Sequence, residues 1–166
     1  MKIKLALFLF VFALMGCAST QTATRQTPTV MIHTSNLDVI KSKIVDLLAS
    51  RNFVLVKDTP YMMEFQRQAQ GIKENLIISL SIGNSYSTNY FTYNFMFARL
   101  PQGIKVTAIP GIKAIMPGGQ VNTATLLNNN SVTQECEQLL QLIKSEVEDT
   151  TSTIPSSSAT SHYQSY

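Results

Sequence analysis

Cysteine is nearly absent from this 166-residue chain. Only Cys17 and Cys136 occur, so no disulfide framework of the kind that holds small secreted domains is available, and the fold must stand on its core. Histidine is as scarce, with His33 and His162 alone. No Gly-x-Ser-x-Gly elbow, His-x-x-Glu-His pair, phosphate-cradling glycine loop or spaced Cys/His cluster is present, which removes the catalytic and metal-binding classes that a local motif announces. Charge is also sparse, at 14% of residues, with 13 Lys+Arg against 10 Asp+Glu. Two of the bases, Lys2 and Lys4, stand at the extreme N-terminus, and beyond them 11 face 10. That balance gives no electrostatic footprint for nucleic acid or for an anionic surface. Nor does any apolar run reach the roughly 20 residues that a bilayer-spanning helix needs.

What is present begins at the N-terminus. Lys2 and Lys4 precede Leu5 to Met15 (LALFLFVFALM), a run without one polar side chain, and Gly16 follows it. A positive segment, a short apolar segment and a small residue form the three-part layout of an export signal. A buried core helix would instead show a polar face, and this run has none. The tetrapeptide Leu14-Met15-Gly16-Cys17 resembles the lipobox of bacterial lipoproteins, with Met15 standing where Ala, Ser or Thr is more usual. The resemblance covers the leader alone. It implies cleavage before Cys17 and lipid on the Cys17 sulfur and amine. Ala18 after the cysteine, in place of Asp, implies by resemblance to Gram-negative lipoproteins transport to the outer membrane rather than inner-membrane retention, and the domain is expected to face the periplasm. Several acyl chains make such an anchor stable where one is marginal. Lipidation consumes Cys17 and leaves Cys136 without a partner in its own chain.

Four segments follow from composition: the signal, 1–16; the lipidated cysteine and a polar tether, 17–29; one domain, 30–149; and a Ser/Thr-rich tail, 150–166, with too little apolar surface to offset its ordering entropy. Within the domain two helices are expected. Ser35 or Asn36 caps a segment whose Leu37, Ile40, Ile44, Leu47 and Leu48 share one face. The second starts at Ser131, with Gln134 completing a capping box, and carries Val132, Cys136, Leu139, Leu140, Ile143 and Val147 as its stripe. Between them the apolar period becomes two. Strands are expected at Phe53–Asp58, from Tyr61, at Leu76–Ile82, through Phe91–Phe97, at Ile104–Ile109 with a bent continuation after Pro110-Gly111, and at Val121–Leu127, preceded by a first strand at Val30–His33. Strands joined by short turns are antiparallel, and two amphipathic helices cover one face of their sheet. The expected fold is therefore α+β: a two-layer sandwich. Its element order resembles helix-grip and TATA-binding-protein-like domains, including those in the lipoprotein subunit of the outer-membrane β-barrel assembly machine.

Chemistry has few candidates. His33 is the one base in the domain, and Asp58 and Glu64 flank the Thr59-Pro60 turn, where two acids are commonly just solvated. No catalytic residue, metal ligand or cofactor is assigned. The aromatic row Phe91, Tyr93, Phe95 and Phe97 reads as core beneath the helices or, alternatively, as an apolar groove between sheet and helices. Tyr86 and Tyr90, in the polar stretch 83–90, are the candidate interaction loop, since Tyr among Ser and Asn is the composition of protein-contact surfaces. Cys136, with no basic neighbour in view, reads as a small buried hydrophobe. The functional expectation is a lipid-anchored, non-enzymatic module that binds another envelope protein; the alternative is a carrier or sensor of an apolar small molecule or lipid.

Overall fold

A computed structural model describes residues 26–83 and 88–152. The leader, Cys17, the first part of the tether, Tyr86 and the tail from residue 153 lie outside the described residues. Nine elements run in the order β1 (Thr29–Ile32), α1 (Leu37–Ala49), β2 (Val54–Asp58), β3 (Met62–Gln68), α2 (Gly71–Ile82), β4 (Thr88–Leu100), β5 (Gly103–Ile115), β6 (Val121–Thr125) and α3 (Asn130–Ser152). All strand pairs are antiparallel, in the order β1-β5-β4-β3-β2, with β6 also paired to β5. The fold is α+β.

β4 and β5 are its spine, thirteen residues each and in unbroken register from Thr88 opposite Ile115 to Leu100 opposite Gly103. Pro110 does not bend β5 into two strands, as the sequence suggests. Its carbonyl accepts from Leu126 N at 2.9 Å, and a strand residue's N–H and C=O point to the same side. The missing donor therefore faces the gap where β5 changes partner, from β1 at Ile104–Thr107 to β6 at Gly111–Ile115. A proline costs no ladder bond there.

Register fixes the faces. Phe91, Tyr93, Phe95 and Phe97 lie opposite Ile112, Pro110, Ala108 and Val106, and all point to one side. Over that side pack Ile40, Ile44 and Leu48 of α1 and Cys136, Leu139, Leu140, Ile143 and Val147 of α3. Asn36 caps α1, its Oδ1 accepting from Asp38 N and Val39 N at 3.1 and 3.4 Å. The cap of α3 is Asn129 rather than the expected box at Ser131: its Oδ1 accepts from Ser131 N and Val132 N at 3.1 and 3.2 Å. α3 runs on to Ser152, past the expected domain end at 149.

The expectation of two helices is corrected to three. The alternation of Leu76, Ile78, Leu80 and Ile82 with their neighbours predicts a strand at Leu76–Ile82, but the chain is helical from Gly71 to Ile82. Only Ile78 of these four is fully buried, in a second, smaller cluster with Ala69, Ile112 and Leu126. Because Ile112 lies opposite Phe91, this cluster is on the same side of the sheet as the main core. Three helices thus cover one face, and the other face carries no helix among the described residues. Met62, Glu64 and Gln66 of β3, Thr92, Asn94 and Met96 of β4, and Ile109 of β5 point to that open side.

Candidate functional site

Where the two core clusters meet, the helical layer is split by a cleft of about 530 Å³, walled by Phe53, Ile77, Phe91, Tyr93, Leu126, Val132 and Glu135, with Arg67 and Glu74 inside. Each wall has a local reason. Phe53 leaves the turn after α1, where Asn52 takes a positive φ of 62° and sends the chain into β2. Leu126 and Val132 flank the connection into α3, closed by Thr133 N donating to Asn129 O at 3.0 Å and Thr133 Oγ1 to Leu127 O at 3.1 Å. Tyr93 and Phe53 pack with ring centroids 5.2 Å apart.

Arg67 is the centre of the cleft. Its guanidinium lies between two rings, 5.4 Å from the Phe53 centroid and 5.3 Å from that of Phe91. It also donates two bonds to Glu74, Nη1 to Oε2 at 3.2 Å and Nη2 to Oε1 at 3.0 Å. Glu74 accepts in addition from Gln70 N at 2.7 Å. The carboxylate thus reaches back to the first free donor of α2, as the acid of a capping box does. The Arg67 hydrogen bond, followed by that backbone donor, holds the Glu74 carboxyl below the ordinary carboxylate value against the opposing effect of burial. The cation, its two ring contacts and the bidentate acid together form the floor of the cleft.

The other perturbed groups move away from neutrality. Burial raises the Tyr93 hydroxyl above its usual value and pushes the Cys136 thiol up to about 12. Cys136 Sγ lies 3.8 Å from the carbonyl of Ala108, in the middle of the packed layer. A nucleophile or general base needs the opposite shift.

The sequence candidates separate on this framework. Phe95 is completely buried and Phe97 nearly so, the first set edge-on to Phe65 at 6.0 Å and 88°; both are core. Phe91 and Tyr93 belong to the cleft wall, although Tyr93 also packs in the main core. Tyr90 stands within β4, opposite Gln68 and Lys113 on the open face, so it is a strand residue rather than part of a loop. Tyr86 lies outside the described residues. Asp58 and Glu64 do not approach as a pair: Asp58 lies opposite buried Met63, on the helix side, while Glu64 points to the open side. The register shift between Leu55 and Lys57 does not bring them together. Asp58 is instead paired with Lys41 of α1. His33 Nδ1 is 2.9 Å from Glu148 Oε1, which also accepts from His33 N at 2.9 Å, so the ring ties β1 to the end of α3. Among the described residues no group of three or more His, Cys, Asp or Glu is placed to hold a metal ion.

Sequence reasoning did not find Arg67, Glu74 or Phe53 as a unit. Its one available signal was an acid at the fourth position of a helix, and that is invisible when the segment is read as a strand. No protein-family model matches the chain, and no curated protein matches it.

Proposed function

We propose that the protein is a lipid-anchored envelope lipoprotein, cleaved before Cys17, whose α+β domain is a non-enzymatic module that binds another protein of the outer membrane or periplasm. The leader signature supports the anchor. The observation that carries protein binding is the sheet edge: β2 pairs only with β3 among the described strands, and Val54, Leu55 and Val56 are all exposed on it, with Tyr61 76% exposed at the adjoining turn. An exposed apolar edge strand is a template for strand addition by a partner. Its outer backbone groups supply affinity and the alternating side chains supply selectivity.

The test combines anchor and edge. A photoreactive residue at Val54 is expected to give one discrete adduct with an envelope protein in intact cells, and the same residue at Gln138, on the exposed side of α3, none. Cys17→Ser is expected to abolish fatty-acid incorporation and to reduce the adduct. Equal adducts from both positions, or none from Val54, would remove the edge from the reading; normal lipid labelling of the Cys17→Ser chain would remove the anchor.

The cleft favours a second reading, a carrier of an apolar small molecule, because Phe53, Ile77, Phe91, Tyr93, Leu126 and Val132 give it an apolar wall beside Arg67 and Glu74. A fluorescent fatty acid that binds the chain and is weakened by Phe91→Ala, with Val54→Ser unaltered, would select it.

A further inference from the structure

The helix α2 is apolar on more sides than its packing uses. Ile78 is buried, yet Ile72, Leu76 and Leu80 are 89%, 55% and 78% exposed, and Ile77 is exposed beside them. Residues 72, 76 and 80 recur every fourth position and so form one outward stripe about 12 Å long at 1.5 Å per residue. The one acid of the helix, Glu74, is held by Arg67 and Gln70 N. A helix with apolar side chains on opposing sides implies a second apolar environment.

The path of the chain indicates which. β1 runs from Thr29 opposite Thr107 to Ile32 opposite Ile104. The chain therefore arrives from the half of β5 that pairs β6 and lies under α2, and Pro28 O accepts from Ala108 N at 3.0 Å on the way in. Gln26, Thr27 and Pro28 lie along the N-terminal half of α3, beside Gln134 and Gln138. Eleven residues lie between Cys17 and Thr29, a span that reaches at most about 40 Å fully extended. A lipid on Cys17 would hold the α2 end of the domain, rather than the His33 and Gln102 end, toward the bilayer.

We propose that the outward stripe of α2, Ile72, Leu76 and Leu80 flanked by Ile77, seats in the headgroup region of a phospholipid bilayer. The orientation rests on the lipoprotein reading above. Four side chains bind a bilayer weakly alone, but tethering at this range supplies an effective concentration on the order of millimolar, and an interfacial helix partitions by the apolar area it buries.

The test uses the lipidated chain, produced in a Gram-negative host and reconstituted in phosphatidylethanolamine–phosphatidylglycerol vesicles. A fluorophore is placed at Leu80→Cys or, at the opposite end of the sheet, at Gln102→Cys. Cys136 does not compete for the label because it is fully buried. Brominated lipids are expected to quench the label at position 80 and leave that at 102 bright; equal quenching, or none at 80, overturns the proposal. A chain that does not travel with vesicles fails the anchor reading instead, and the 18–166 chain then decides the α2 seat. That chain retains every described residue, and its vesicle partition is expected to fall roughly a hundredfold in Ile72→Gln/Leu80→Gln, from two side chains each worth about tenfold. No partition, an unchanged partition, or concentration-dependent self-association abolished by the same pair in the absence of vesicles overturns it.

Discussion

Gly103 stands where β5 begins, at a φ of 144°, with the Ile32 carbonyl oxygen only 2.2 Å from the place its Cβ would occupy and His33 Cα 3.1 Å away. Gly103→Ala therefore meets two separate costs. Holding a non-glycine residue in that backbone region costs about 1–3 kcal/mol. The Ile32 carbonyl must also retreat by about 1 Å to reach ordinary van der Waals separation. That displaces the end of β1, whose Val30 and Ile32 side chains are buried in the main core, and disturbs one or two ladder bonds worth about 1 kcal/mol each. The expected loss is about 2–5 kcal/mol, a large part of the roughly 5–15 kcal/mol available to a domain. Two other glycines separate the contributions. Gly119 has a φ of 80° but nothing within 4 Å of its Cβ position, so Gly119→Ala carries backbone strain alone, about 1–2 kcal/mol. Gly118 has an ordinary φ and equally open space, and Gly118→Ala is expected to stabilise by about 0.4–1 kcal/mol through the unfolded chain. Urea unfolding followed by circular dichroism measures all three. A Gly103→Ala loss below that of Gly119→Ala would refute the reasoning, because the close approach of β1 would then carry no cost.

Glu74 gives a pH-dependent test. Its folded pKa lies below the unfolded value, so its contribution is present above about pH 4.5 and is lost as pH falls through the folded value; Glu74→Gln is expected to lose about 1–2 kcal/mol at pH 7, and the gap between wild type and variant in urea unfolding to narrow as pH is lowered below 4.5. A gap that stays constant across that range would mean that the carboxylate charge is not what Arg67 holds. Phe95→Ala, at a fully buried ring, is expected to cost about 3–5 kcal/mol. Phe91→Ala, at the cleft wall, is expected to cost distinctly less; equal losses would contradict the division of the aromatic row into core and wall.

Periodicity alone determined a good part of this architecture. The stripes of α1 and α3, the two-residue alternation of β3 and β4 and the α+β class were legible because each places its apolar residues on one side, and a period is a local property. Tertiary structure alone decided the rest. Leu76–Ile82 alternates like a strand yet folds as a helix, because Glu74 caps its start through Gln70 N and Arg67, and Gly83, at a φ of 79°, ends it in the left-handed region. A short apolar run fits both periods, and contacts from outside the run choose between them. Pro110 reads as a strand breaker, but whether its missing N–H matters depends on which neighbour lies beside it. Arg67, Phe53, Phe91 and Glu74 meet only because β3, β4 and the turn after α1 are brought beside α2; no spacing in the sequence encodes a distance between residues that the chain joins across a sheet.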